Sequence, residues 1–443
     1  MRSLEHFRKD SEEQKADNKL HDVGLYVQSN NDHEKPIGEI GKAATLVASG
    51  LLTNLTIEQI GSAAKSAGSW AAASIGKEAK KSETTEKTDV ALEAKDLKKL
   101  FADNEKRFDL NGNGFVSRRE LNKVIADKDV RGADAQLAAL LRFAISDLEE
   151  LSNDEWFDEN SGVTEDDMAE LDKLARDAKG RSKDETKLVD EVNEQLKDFY
   201  DITKRSNRQL YATTDPLKSI LPEAIKQQHI GDCYFLAPLA SLAAADPQLI
   251  KDMIEDNGDG TYTVIFPAEP DKPITVSAPT DAELLRFNAG GEHGVWASVL
   301  EKAYGKAIGG DNAQKLDGGG YPDDVLRLFT DRKGDCDWLA RTSEDDLHRD
   351  LKKAFKEKRA VACGTREDYR EGKLLKGDRI VQQHAYSILA YDANTYTVTI
   401  RNPWAEREPQ NEDGKTRDGK DDGIFKMSLR EFKHTFEEVY YQG

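Results

Sequence analysis

Cys233 ends the polar segment Gln227-Gln228-His229-Ile230-Gly231-Asp232-Cys233 and opens onto the apolar run Tyr234-Phe235-Leu236-Ala237-Pro238-Leu239-Ala240. A thiol at the mouth of a buried helix is expected to ionise readily, because the positive end of the helix favours the thiolate. A thiolate that attacks a carbonyl needs an acid–base partner and a donor for the oxyanion it creates. His384, in His384-Ala385-Tyr386-Ser387, is the candidate partner, pairing with the thiolate as imidazolium and later protonating the leaving group. Asn402, in Ile400-Arg401-Asn402-Pro403-Trp404, can accept from the other ring N–H and fix the tautomer. Gln227, six residues before the thiol, offers its amide to the oxyanion together with the backbone N–H of Cys233. Trp404 stands two residues past Asn402 and is placed to keep water from the His–Asn hydrogen bond. Singly, a cysteine at a helix start or a histidine beside a tyrosine is an ordinary core residue. The four together are what point to covalent catalysis.

The order Cys, His, Asn is shared with papain-like proteases, and from about Leu210 onward the chain resembles the catalytic core of the calpain family. The nucleophile segment follows that family's Q-G-x-x-G-D-C-W pattern, with Gln228 in place of Gly and Tyr234 in place of Trp. Trp296-Ala297-Ser298-Val299-Leu300-Glu301-Lys302-Ala303-Tyr304, the run Gly318-Gly319-Gly320, the H-A-Y-S block, R-N-P-W and the stretch from Asp422 to Phe432 follow in the right order. Nothing before about residue 200 shares the likeness. The resemblance implies an α+β, papain-like two-lobed cysteine protease core, a helical lobe plus an antiparallel-sheet lobe, acting on protein or peptide substrates. It implies that Gly319 bonds extended substrate and that Trp404 obstructs the cleft until the lobes close. It also implies calcium sites in both lobes. In the first, Ala224 and Gly294 stand where acids are expected; in the second, Glu408 and Asp422 match while Ile424 replaces an acid. Gln383 occupies the place of a glycine before the histidine, which alters main-chain recognition on that side.

Upstream lies a different chemistry. Asp109-Leu110-Asn111-Gly112-Asn113-Gly114-Phe115-Val116-Ser117-Arg118-Arg119-Glu120 fills the EF-hand template. Side-chain oxygens fall at Asp109, Asn111, Asn113, Ser117 and Glu120, and a backbone carbonyl at Phe115, with Gly114 at the sharp turn. Ca2+ is therefore the expected cofactor, at moderate affinity because two ligand positions are Asn rather than Asp. Residues 158–167 hold a shorter relative of this loop, expected to pair with the first without binding metal. Leu97, Leu100, Phe101 and Phe108 before the loop, and Leu121, Val124 and Ile125 after it, recur at helical spacing.

Length and charge frame these sites. The 443 residues suit several domains: a flexible leader over 1–90 with short helices at most, an all-α EF-hand-like domain over 91–178, a connecting helix over 179–208, and protease lobes over 209–341 and 342–443. A net charge of −20 excludes nucleic acid and anionic membranes as default partners. Cys233, Cys336 and Cys363 are too few and scattered for a disulfide framework, and Cys363 reads as inert on a buried strand. Residues 1–18 are charged without an apolar core, so no signal peptide is expected, and no transmembrane segment is either. A cytoplasmic location follows, with non-classical secretion compatible. Asp256-Asn257-Gly258-Asp259-Gly260 reads as a hairpin turn before an alternating strand rather than as a metal loop. The expected activity is a calcium-regulated cysteine endopeptidase that also cuts itself near residues 80–95 or 178–185. A catalytically silent calcium-binding scaffold and an acyl transferase using the same triad are its rivals.

Overall fold

The computed structural model describes residues 91–152, 162–205, 207–289, 291–309, 313–365, 380–411 and 414–443. The expected leader over 1–90, with residues 80–90 of the expected self-cleavage segment, lies outside the described residues, as do positions 158–161 of the second acidic loop. Residues 91–443 form one compact unit with three hydrophobic clusters.

The first cluster in chain order is helical: α1 Leu97–Phe108, α2 Arg118–Ile125, α3 Gly132–Leu148, α4 Glu165–Arg176 and α5 Lys183–Arg205. Leu97, Phe101 and Phe108 on α1 meet Leu121 and Val124 on α2 with almost no exposure. Two helix–loop–helix units face each other through an antiparallel bridge, in which Val116 and Val163 exchange both backbone hydrogen bonds at 2.9 and 3.1 Å. The following turns are built alike. Ser117 with Glu120, and Thr164 with Asp167, form reciprocal capping boxes that start α2 and α4. The helix α5 is no free spacer, since Val189, Val192, Leu196 and Phe199 all enter the same cluster.

The second cluster surrounds α6 Cys233–Ala245, α7 Pro247–Asp252, α8 Asp281–Arg286, α9 Trp296–Gly309 and α10 Pro322–Leu328, with a small sheet β1 Ile254–Asp256, β2 Thr261–Val264 and β3 Ile274–Ser277. The helix α6 is apolar all round and buried on every side, as a central helix must be. Pro238 sits in its second turn and withholds the N–H that would close on the Tyr234 carbonyl. The Asp-Gly segment 256–260 does turn β1 into β2, whose register pairs Asp256 with Tyr262.

The third cluster lies under a six-stranded antiparallel sheet ordered β4-β9-β5-β6-β7-β8: β4 Asp335–Trp338, β5 Val361–Thr365, β6 Ala385–Asp392, β7 Thr397–Arg401, β8 Ile424–Ser428 and β9 Phe436–Tyr441. Helices α11 Glu344–Lys356 and α12 Leu429–Thr435 cover it. Cys363 is fully buried on β5, whereas Cys336 is exposed on the edge strand β4. Among the described residues no helix is long and apolar enough to cross a membrane.

Candidate active site at the lobe boundary

Cys233 is the first residue of α6, and Asp232 caps the helix by taking the N–H groups of Phe235 and Leu236 on its carbonyl at 2.8 and 3.1 Å. The segment ahead of it is held straight by pairing with residues 286–289: Gln228 donates to the Phe287 carbonyl at 3.1 Å and His229 to that of Arg286 at 2.9 Å. Gly231 donates to Asp317 Oδ1 at 2.8 Å, and a Cβ there would press on the Asp317 carbonyl.

On the other lobe, His384 immediately precedes β6 and Asn402 immediately follows β7. These strands are neighbours, with Ser387 opposite Arg401, so the sheet register itself brings ring and amide together. His384 Nε2 lies 2.9 Å from Asn402 Oδ1. The orientation of that amide is fixed by its surroundings: Asn402 Nδ2 donates to the Glu406 carbonyl at 2.9 Å, and Oδ1 also accepts from the Trp404 N–H at 3.1 Å. Oδ1 therefore faces the ring, Nε2 must carry the proton, and Nδ1 is left with its lone pair. Trp404 leans on the ring with centroids 4.8 Å apart, and Tyr386 meets it edge-on at 4.9 Å. Gln383 adopts φ +49°, the left-handed backbone that favours glycine.

The two halves are docked. Ser387 Oγ donates to the Ala237 carbonyl at 2.8 Å, Ser241 Oγ to Val361 at 2.6 Å, Arg401 Nη2 to Ile225 at 2.5 Å, and the Gln227 N–H to Pro403 at 2.9 Å. The backbone N–H of Ala385, next to His384, comes near enough to the thiol to favour its charged form. Thiol, imidazole and amide are thus brought to one place, although among the described residues no hydrogen bond joins thiol and imidazole.

The expected easy ionisation of Cys233 is not what this closed site gives. Burial pushes the thiol up to about 11, the Asp232 carboxyl adds to this, and the N–H groups of Ala385, Tyr234 and Cys233 offset only part. Burial likewise holds His384 down to about 4 against the support of Asn402. In isolation each group is neutral at rest, because a buried charge without its counter-ion is costly.

Gln227 is buried at 6% exposure and lies beside the thiol segment. One N–H of its amide goes to the Ile230 carbonyl at 2.7 Å, which leaves the second for an oxyanion. Gly319 has φ +74° with open space around it, and a Cβ on Gly320 would run into the Tyr234 ring. The side chain at 234 thus makes the third glycine of the run obligatory.

Sequence reading missed a buried polar system beneath the nucleophile. Asp232 and Glu301, both with no exposure, lie close enough to perturb each other, and burial raises both carboxyls, which favours a proton retained between them. Asp317 bridges Arg286 at 3.2 Å and Arg142 at 3.5 Å. Arg142 belongs to α3 of the helical unit, and Phe143 beside it packs on His229 with ring centroids 4.3 Å apart. Glu301 was visible in the W-x-x-L-x-E-K-A-Y block, but nothing local marks Arg142 or Asp317.

The residues expected to hold calcium fall into three groups. In the 109–120 loop, Asp109 accepts the N–H groups of Gly112, Asn113 and Gly114, while Glu120 accepts those of Asn111 and Ser117. Asn111 and Asn113 accept from Asn113 and Phe115, and Gly114 has φ +87°. The side-chain oxygens therefore turn inward around one turn, a donor set of oxygens that fits a hard divalent cation. In the sheet lobe, buried Glu408 takes the Asp422 N–H on Oε1 at 2.8 Å, while its Oε2 has no partner among the described residues. At the first-lobe positions the chain cannot supply the acids: Ala224 is buried, and a Cβ on Gly294, at φ +92°, would lie 2.6 Å from the Leu210 carbonyl. Among the described residues no three His, Cys, Asp or Glu side chains converge as a metal site.

Comparison with known proteins places the chain in a family. A sequence model of the calpain family cysteine proteases matches residues 204–441, more than half of the chain, and the chain belongs to that family. Calpain-9 of Mus musculus is 27% identical over 249 residues, covering 48% of this chain and 35% of the relative. The calpain-1 catalytic subunit of Mus musculus is 27% identical over 248 residues, covering 48% and 34%. A calpain-type cysteine protease of Oryza sativa subsp. japonica is 28% identical over 265 residues, covering 50% and 11%. The chain thus spans about a third or less of the length of these relatives.

Proposed function

We propose that the chain is a cysteine endopeptidase in which Cys233, His384, Asn402 and Gln227 carry the chemistry. The observation that carries this reading is the fixed hydrogen bond from His384 Nε2 to Asn402 Oδ1, which leaves Nδ1 as the base, with Ala385, next in sequence, close to the Cys233 thiol. Nδ1 takes the thiol proton, the sulfur adds to the peptide carbonyl, and the Gln227 amide with the Cys233 N–H holds the oxyanion. The C–N bond breaks as imidazolium returns the proton to the leaving amine. Water then adds to the thioester with His384 as base and releases the acid and the thiol. Desolvation favours the neutral form of each group taken alone, so charge separation is supported when Cys233 and His384 approach each other around the substrate.

In the same reading the module over 91–178 is a pair of EF-hands, the first binding Ca2+ through Asp109, Asn111, Asn113, Phe115, Ser117 and Glu120. Glu408 and Asp422 are a second, lesser calcium site. With such a cation held there, the carboxylates of Asp109 and Glu120 would be neutralised and the loop stiffened, and α3 would carry that state to the thiol segment through Arg142 and Phe143. Casein digestion by wild type, Cys233→Ala and Glu120→Ala, each titrated with calcium against EGTA, tests both halves. Peptide release is expected from wild type, none from Cys233→Ala, and a weakened calcium response from Glu120→Ala. An unchanged calcium response in Glu120→Ala would reject the regulatory half, and activity in Cys233→Ala would reject the catalytic one. The missing thiol–imidazole hydrogen bond favours the silent scaffold as second reading. Alkylation of Cys233 by iodoacetamide at neutral pH separates the two.

A further inference from the structure

A cavity of about 580 Å³ opens between the outer face of α5 and the lobe boundary, reached by Gln227 and Trp404. The helix contributes Glu191, Glu194, Asp198 and Asp201, spaced three, four and three residues apart and therefore on one face. The opposite face, with Val192, Leu196 and Phe199, is buried in the helical cluster, so the acidic stripe is aimed by packing. Glu223, Glu292 and Glu406 bring the lining to seven carboxylates, against the two cations Lys226 and Arg407. Burial and the nearby Glu194 and Asp201 raise Asp198, offset in part by Lys226.

A second feature at the same cavity calls for a ligand. Gln227 lines it, is 94% buried by its 6% exposure, and has an amide oxygen, Oε1, with no hydrogen-bond partner among the described residues. A buried acceptor of this kind is costly unless something donates to it.

The side of the cleft follows from the proton. The leaving amine must receive it from His384, so the chain after the scissile bond departs past the ring and past Trp404, which covers that ring and borders the cavity. The glycine run Gly318–Gly320 is not part of this lining, and Gly320 instead abuts the Tyr234 ring.

We propose that this cavity is the subsite for the substrate residues that follow the scissile bond, and that it selects lysine and arginine there. The inference rests on the peptidase reading and adds its substrate class: an extended peptide whose first backbone N–H groups after the cut reach Gln227 Oε1 and whose cationic side chains meet the α5 stripe. The recognition element lies upstream of the family-matched region, on a helix this chain supplies from its own helical unit.

The test maps casein cleavage sites by mass spectrometry with full-length wild type, Glu194→Lys/Asp198→Lys, and Asp190→Lys, a change on α5 outside the cavity. Wild type and Asp190→Lys are expected to be enriched for Lys and Arg in the three positions after the cut. The double reversal is expected to lose that enrichment and shift towards Asp and Glu. For a basic peptide kcat/KM should fall about tenfold in the double variant, the product of roughly two- to fivefold per exposed charge pair, and more at low salt. Cleavage without basic enrichment in wild type, or an unchanged profile after reversal, overturns the subsite while leaving the peptidase standing. No cleavage together with an unlabelled Cys233 removes the peptidase reading and the subsite with it.

Discussion

The nucleophile side and the base side of the cleft are built by opposite means. Around His384 the partners are neutral: the Asn402 amide, the Trp404 and Tyr386 rings, and a sheet register that sets their spacing. Around Cys233 the support is ionic: a carboxyl pair, Asp317 and two arginines, one of them from a helix nearly ninety residues upstream in sequence. A neutral network orients without imposing charge and is insensitive to salt and to acidity near neutrality. A buried ionic network holds its members tightly but must keep its protons and partners to remain favourable. The consequence is that the base is positioned locally, while the nucleophile loop depends on the helical unit and on pH.

The sharpest way to probe the contrast is Gln227→Ala, which touches the donor between the two sides. It is expected to lower kcat by about 10²–10³, the usual loss for one oxyanion donor, and to raise KM by a smaller factor, since Oε1 of the same amide accepts from the substrate backbone. A rise in KM with kcat unchanged would instead assign Gln227 to substrate positioning alone.

Arg142→Ala comes next. Asp317 keeps Arg286, so the loss should fall below the ~3–5 kcal/mol typical of a broken buried pair, yet it strips charge from beneath Gly231. Reduced thermal stability together with slower Cys233 alkylation is expected. Stability loss with an unaltered alkylation rate would mean that the helical unit does not reach the nucleophile.

The smallest effect is expected from Glu301→Gln, and it depends on pH. Carboxyls whose folded pKa is raised bind more protons folded than unfolded, so their contribution is present below the ordinary carboxylate range and is lost as pH climbs through the raised value. For Asp232 that value is about 7. Wild type should therefore lose thermal stability between about pH 4 and pH 7, and the amide should flatten this part of the profile. His384 works in the other direction: its folded value near 4 lies below the ordinary histidine value, so stability falls as pH drops from about 6.5 towards 4. A Glu301→Gln profile identical to wild type would show that the two carboxyls share no proton.

Much of the site could be read in the chain because its parts are short motifs. The polar-to-apolar switch at Asp232-Cys233, the H-A-Y-S block and R-N-P-W mark strand and helix ends, and hydrophobic periodicity placed the helices around Phe101 and Leu121. The 256–260 turn was likewise legible, since Gly258 and Gly260 take positive φ. The acidic stripe on α5 was also there to be seen at its three-four-three spacing, but a charged stripe alone reads as a solvated face. The thiol pKa was misjudged for a related reason. A helix N-terminus is visible in sequence, whereas burial, which outweighs it here, belongs to the packed molecule.

The sequence by itself determined which groups are available: a thiol ahead of an apolar helix, an imidazole and an amide flanking two strands, and carboxylate and amide oxygens spaced through one loop. Those choices are local, fixed by residue type, turn chemistry and periodicity over a few residues. Only the tertiary structure decided that Arg142 reaches Asp317 across 175 positions, that Asp232 meets Glu301, and that α5 closes a cavity beside Trp404. Contacts between distant segments follow from how whole hydrophobic faces dock, and once docked, desolvation sets the charge state that each side chain can hold.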